Sequence, residues 1–398
     1  MAIDLTAVRA DTLGCNNVAH FNNAGCSLPP RQVNEAIIAQ LRREEMIGGY
    51  EAAAEATERI AGVYTSAATL IGASPDEIAL MDGATRAWDV AFYGYLAGSR
   101  LGSGDRVLVD RARYPSYAVS MIQVAQRSGV TFQLIDDDER GQFDLDDLDR
   151  RLTPDVKLVA LTHIPTDSGL INPIAEAGAR CRAAGVPLLV DACQSVGQLT
   201  VDVDELQCDM LNATGRKYLR GPRGTGFLYV RSEWQHLVTP LVIDNSLTRW
   251  TAPTSYELQP GARRYEAFER SIATTLGLGV ALDYALDLGV ANIETSILSL
   301  ADTLRQRLSR IPGLLLDDAG VRQCGIVTFR IPGVEAPAAH RALAARGINT
   351  SVTRIHAGAT EPGAAPVEPR VRASVHYYNS EAEIEALASA IEQVSVGT

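Results

Sequence analysis

Between about residues 60 and 230, apolar runs of strand length alternate with helical stretches, and this alternation limits the possible folds more than any other feature of the chain. Residues 106–109, 130–135, 157–162 and 186–190 read as strands. Residues 117–127 and 174–184 read as helices. Parallel neighbours need a crossover, so this order predicts an α/β fold whose mostly parallel sheet is covered by helices on both faces. Residues 226–230 form one more strand-like run. They follow the glycine-rich turn 220–225 too closely for a helical crossover, so this strand is expected to run antiparallel. Beyond residue 260 the pattern changes. One helical stretch covers 272–308, strands follow near 314–316 and 325–329, and helices are expected over 337–346 and 380–394. That order predicts a second, smaller α+β domain. The Gly/Ala/Pro-rich residues 357–366 read as a loop.

Charge and composition remove several classes of function. The formal charge of −12 argues against a nucleic-acid partner, which needs a basic surface. No apolar run approaches the roughly 18 residues that mark a spanning helix, and the first residues lack the pattern of a signal peptide. No membrane association and a cytoplasmic location are therefore expected. Cys15, Cys26, Cys181, Cys193, Cys208 and Cys324 show no CxxC spacing, so reduced thiols are expected and no metal site. The acidic run 136–149 places Arg140 and Asp147 where a calcium loop needs other ligands, and reads as a solvated turn.

One compositional bias is more informative. Of the 36 basic residues only Lys157 and Lys217 are lysines. Lysine, unlike arginine, can be tuned into a nucleophilic amine. Lys157 precedes an apolar strand and reads as a strand-edge charge. Lys217 follows small residues and precedes the glycine-rich turn. Asp191, 26 residues earlier, ends an apolar strand, where ligands of open α/β sheets bind. A lysine and a strand-end carboxylate are what pyridoxal phosphate (PLP) requires: an amine to hold it and a partner for its ring nitrogen. Its phosphate needs a helix N-terminus with small residues. Gly83, Ala84 and Thr85 supply one, and Thr214 and Arg216 are positioned to join the cradle.

At these residues the sequence resembles the class V aminotransferases. The resemblance rests on Asp191-x-x-Gln194, on Thr214-Gly215-Arg216-Lys217 and on the Gly221-Pro222-x-Gly224-x-Gly226 turn, and runs from about Phe21 to the last helix. It implies PLP fold type I, like aspartate aminotransferase: a large, mostly parallel seven-stranded domain over residues 21–260 and a small C-terminal domain over 261–398, after an N-terminal segment 1–20. It further implies that Gln194 bonds the cofactor's ring hydroxyl and that Tyr114 stacks on the ring. Arg372 would clamp a substrate carboxylate, with Thr166 nearby, and Asn23 and Ala24 would lie in a segment folding over the substrate. Arg354 and His356 would sit on the active-site loop. A homodimer acting on an amino acid is implied as well.

The departures narrow the expectation. Desulfurases of this family carry a catalytic cysteine about fifteen residues before this arginine, yet residues 354–368 contain none. The Gly-Thr pair that desulfurases direct to a neighbouring subunit's phosphate is missing near 264–271, leaving Arg270 or Ser271 in question. The motifs at 164–166, 347–352 and 372–379 resemble the branch outside the desulfurases, which holds ergothioneine-type C–S lyases, lincosamide-pathway PLP enzymes and isopenicillin N epimerase-like proteins. The leading expectation is C–S cleavage by β-elimination from a cysteine S-conjugate or its sulfoxide. Transamination, decarboxylating deamination and epimerisation are the alternatives.

Overall fold

A computed structural model of the protein describes residues 3–353 and 368–396. The chain enters through a two-residue strand, β1 (Ala19–His20). Seven strands then build one sheet: β2 (Ile78–Met81), β3 (Arg106–Val109), β4 (Thr131–Leu134), β5 (Val156–Thr162), β6 (Leu188–Asp191), β7 (Met210–Thr214) and β8 (Gly226–Val230). Their spatial order is β2-β8-β7-β6-β5-β3-β4. Only β8 runs against its neighbours β2 and β7; the pairs β3–β4, β3–β5, β5–β6 and β6–β7 are parallel. The expected antiparallel strand is thus present, and its tight connection from β7 is the reason.

The central strands are buried throughout, as a sheet covered on both faces requires. Alternate residues feed two apolar layers. Val159, Leu161, Leu188, Val190 and Leu211 join one, while Leu158, Ala160, Leu189 and Met210 join the other. Helices Ala84–Gly98 and Pro115–Ser128 cover the second face through Trp88, Phe92, Tyr117 and Met121. Helix Ile174–Ala184 covers the first through Ile174, Ala177 and Cys181.

A hairpin of β9 (Thr248–Ala252) and β10 (Ser255–Leu258) follows, with most of its residues exposed. A second, four-stranded antiparallel sheet then forms in the order β11-β12-β15-β14. Its strands are β11 (Leu315–Leu316), β12 (Ile326–Arg330), β14 (Ser351–Thr353) and β15 (Arg370–Ser374). Between them, β13 (Ile348–Asn349) pairs in parallel with β1, and Asn22 bridges to Ser374. The N-terminal segment is thereby carried along the small sheet to the loops after β6 and β7, where Ser27 N donates to Arg216 O at 2.9 Å.

The single helix expected over 272–308 is two. Helix Ile272–Leu288 and helix Val290–Leu308 meet at Gly289 with a bend of 81°. Gly289 has φ 79°, a conformation that side-chain-bearing residues rarely adopt. The first of the pair packs against helices Thr57–Ile71 and Arg31–Ile47. Among the described residues, no single helix is long and apolar enough to cross a membrane.

Candidate active site

A cavity of about 450 Å3 opens at the carboxyl ends of β5, β6 and β7. Such sheets bind ligands there because loops and helix N-termini converge on it. Lys217, Asp191, Gln194, Tyr114, Thr166, Thr214, Arg216, Gly83, Ala84 and Thr85 all line it. Lys217 is 6% exposed and sits in the turn after β7. That turn is held by Gly215 N donating to Thr225 O at 2.9 Å and by Gly221 N donating to Gly215 O at 2.7 Å.

Asp191 is buried at the end of β6. Its Oδ1 accepts from Cys193 N and from Asn212 Nδ2, both at 3.0 Å. Burial raises its carboxyl, and the Lys217 charge and these hydrogen bonds oppose the rise. Asn212 also donates to Tyr117 Oη at 2.9 Å. Tyr117 in turn stacks on Trp88, with ring centroids 4.3 Å apart. Neither Asn212 nor Tyr117 was expected at the site. Asn212 stands directly across from Asp191 in the β6–β7 register, and Tyr117 follows Tyr114 by three residues, the two rings meeting edge to face at 5.7 Å. Tyr114 itself is 38% exposed and precedes the helix it begins.

At the other end of the cavity, helix Ala84–Gly98 starts with no side-chain cap. Its first amides are free to meet an anion. A Cβ built on Gly83 or on Gly224 would meet nothing within 4 Å, so both face open space. Thr214 Oγ1 is directed to Thr225 O at 3.4 Å.

Gln194 Nε2 donates to Ala24 O at 3.1 Å and to Thr166 Oγ1 at 3.2 Å, while its buried Oε1 has no partner. Arg372, on β15, donates from Nη1 to Thr166 O at 2.6 Å and to Thr166 Oγ1 at 3.0 Å. Its Nη2 reaches Asn22 Oδ1 at 3.2 Å, and its buried Nε has no partner. Burial lowers the guanidinium's pKa from its ordinary value.

Other expected residues stand elsewhere. Asn23 ties the entry segment down: it donates to Ser374 O at 2.7 Å and to His20 O at 3.1 Å, and accepts from Tyr378 Oη. Its neighbour Asn22 is the residue that meets Arg372. Ala24 contributes its carbonyl to Gln194. Arg354 and His356 lie outside the described residues. His163 lines a different cavity. Cys26 is half-buried, with Sγ near Ser27 O at 3.9 Å. Ser271 caps helix Ile272–Leu288 by accepting from Thr274 N, and Arg270 donates to Glu266 and Tyr64 of its own chain.

These residues fit PLP. The cavity holds a buried lysine, a buried carboxylate and an uncapped helix start, with an unpartnered amide oxygen on Gln194 to meet a hydroxyl.

Comparison with known proteins agrees. The profile described as "Aminotransferase class-V" matches residues 19–387. A probable cysteine desulfurase of Xylella fastidiosa is 30% identical over 378 residues, covering 94% of this chain and 90% of the relative. The apo structure of a cysteine desulfurase from Thermococcus onnurineus superposes with a TM-score of 0.88 at 25% identity, covering 100% of this chain and 99% of the other. A cystine C–S lyase, solved with its product cysteine persulfide, shares the fold at a TM-score of 0.85 and 24% identity, covering 96% and 99%. The expected placement outside the desulfurases finds no support in these relatives. The site's chemistry and the match over most of the chain lead to one conclusion: the protein belongs to the class V aminotransferase family and is a PLP-dependent enzyme of fold type I.

Proposed function

We propose that the protein cleaves the C–S bond of a cysteine-derived amino acid by β-elimination. The observation that carries this reading is a cavity lined by Lys217 and by Thr166, the residue that Arg372 bonds from outside the lining, in a chain with no cysteine in residues 354–368. The first supports an amine and, through Thr166, a carboxylate-binding arginine near one another, as an L-amino acid requires. The second removes the thiol by which the family's desulfurases take up sulfur. The three named relatives are cysteine desulfurases or a cystine C–S lyase by name, which supports a sulfur-bearing substrate.

When bound, PLP withdraws electrons from the substrate's Cα. Asp191 holds a proton on the ring nitrogen and so strengthens that pull. Arg372 orients the substrate carboxylate with its paired N–H groups, and Thr166 fixes the guanidinium. Lys217 takes the Cα proton as general base. The electron pair of the Cα–H bond forms the new carbon–carbon double bond, and the Cβ–S pair leaves on sulfur as thiolate. Water completes the balance, giving thiol, pyruvate and ammonia with no net oxidation. Gly83, Ala84, Thr85, Thr214 and Arg216 would hold the phosphate, and Tyr114 would cover the ring. We assign the enzyme to the cytoplasm, in keeping with six cysteines that form no disulfide.

The test is product analysis of the PLP-loaded enzyme with cysteine S-conjugates, cysteine and sulfur-free amino acids. Free thiol with pyruvate and ammonia is the expected result. Alanine with persulfide, or a keto acid keeping the substrate skeleton, would overturn elimination.

A further inference from the structure

A second cavity, of about 580 Å3, lies behind the strand that carries Thr162. Side chains alternate along an extended chain, so Thr162 and Ile164 face the active site while His163 faces this other space. Its floor holds two buried polar atoms without partners. His163 is 6% exposed, and its Nδ1 has no hydrogen bond. Asn172 is 2% exposed; it donates from Nδ2 to Thr162 O at 2.8 Å, and its Oδ1 is unpartnered. Native interiors rarely leave such atoms unmatched, so a donor from outside the chain belongs there.

The walls say what kind of donor. Six lining residues are Asp or Glu against one arginine, Arg322. Glu176 and Glu205 are exposed and stand on the solvent side. Glu294 already accepts from Thr200 N at 2.7 Å and from Arg322 at 3.4 Å. Between floor and rim lie the apolar Ile171, Leu199 and Leu206. No group of His, Cys, Asp and Glu converges to hold a metal among the described residues. Burial and the Arg322 charge lower the His163 ring's pKa to about 4, so at neutral pH it is uncharged and does not repel a cation, and with its proton on Nε2 the unpartnered Nδ1 accepts.

We infer that this cavity binds a small aliphatic diamine, one ammonium donating to His163 and Asn172 and the other paired with Glu176 and Glu205, with the methylenes against Ile171 and Leu206. The chemistry differs from that of the active site, because this space contains no lysine and no cofactor cradle.

Titration calorimetry of the holoenzyme with 1,4-diaminobutane, near pH 7.5 and at fixed ionic strength, tests the inference. One saturable site per chain is expected, with the cofactor's absorption unchanged. Butylamine, which has a single charge, should bind at least tenfold more weakly. The double variant Glu176→Gln/Glu205→Gln, altered only at exposed positions, should raise Kd at least tenfold. The inference is overturned by an absence of saturable heat, by equal affinity in the double variant, by a spectral change that tracks binding (condensation with the cofactor), or by magnesium displacing the diamine at equal concentration.

Discussion

At the scale of single residues, the chemistry concentrates in side chains whose surroundings the sequence shows only in part. Lys217 is expected to be indispensable. Lys217→Ala should lower turnover by about 10²–10⁴-fold, the usual range for a positioned acid–base group. Borohydride reduction followed by mass spectrometry should find cofactor fixed to the wild type and none on the variant. Arg372→Lys keeps the charge but loses the paired geometry that meets Thr166. It should raise KM about tenfold to a hundredfold, the equivalent of the ~1.5–3 kcal/mol of hydrogen bonds to a charged group. A larger loss in kcat than in KM would count against a binding role. Asp110 offers a test by pH. It is buried, its Oδ2 accepts from Thr162 N at 2.6 Å, and burial lifts its carboxyl to about 7. An unfolded aspartate titrates at about 3.9. Between these values the unfolded chain has released a proton that the folded chain retains. The stability that Asp110 provides is therefore whole below pH 4 and is lost progressively as the pH rises through 7. Asp110→Asn keeps an acceptor and cannot ionise. Its urea midpoint relative to wild type should rise between pH 4.5 and pH 7.5, and a constant difference would contradict this. At this scale Lys217 and Asp191 were legible because their types and positions are chemically unusual for this chain. Asn22 was not, because the sequence does not reveal which of two adjacent asparagines turns toward Arg372.

At the scale of elements, the periodicity served well where burial is one-sided or complete and failed where one residue breaks a continuous pattern. Strands 106–109 and 226–230 and helix 174–184 fall where the apolar runs place them. β7 gives no strand signal because Asn212 and Thr214 make it look polar, although every one of its residues is buried. The hairpin of β9 and β10 leaves no periodic signal because exposed strands have no buried face to impose alternation. The break at Gly289 was invisible because apolar residues continue on both sides of it. Its positive φ makes it testable. Gly289→Ala should destabilise the fold by ~1–2 kcal/mol, the cost of a left-handed conformation for a residue with a Cβ. A Cβ there also comes within 2.8 Å of Asn292 Nδ2, a side-chain atom that can move aside, so backbone strain is the larger effect. Denaturant unfolding checks this, and an unchanged midpoint would mean that the two helices readjust around the substitution.

At the scale of the whole molecule, the exposed apolar surface is the feature that a single chain leaves unexplained. Tyr50 is 77% exposed, Phe268 59% and Val242 64%. Tyr50 and Phe268 are neighbours, with ring centroids 6.5 Å apart. Phe268 N donates to Asp244 at 2.6 Å, which ties its segment to the stretch carrying Leu241 and Val242. That stretch also lines a third cavity, of about 290 Å3, with Arg86, Asp89 and Gly224, all of which also line the active-site cavity. The apolar surface therefore lies beside the end of the active-site cavity that would hold the cofactor's phosphate, and apolar surface of this kind marks an interaction site. We propose that a second copy of the chain covers it and closes the cavity. Light scattering should then give twice the 42.7 kDa of one chain. Tyr50→Glu with Phe268→Glu adds charge only at exposed positions, so it should produce monomers that remain folded by circular dichroism. Those monomers should also lose PLP more readily on dilution, because the phosphate end of the cavity then opens to solvent. A variant that stays dimeric would move the interface elsewhere, and folded monomers that hold PLP as tightly as wild type would separate the interface from the active site.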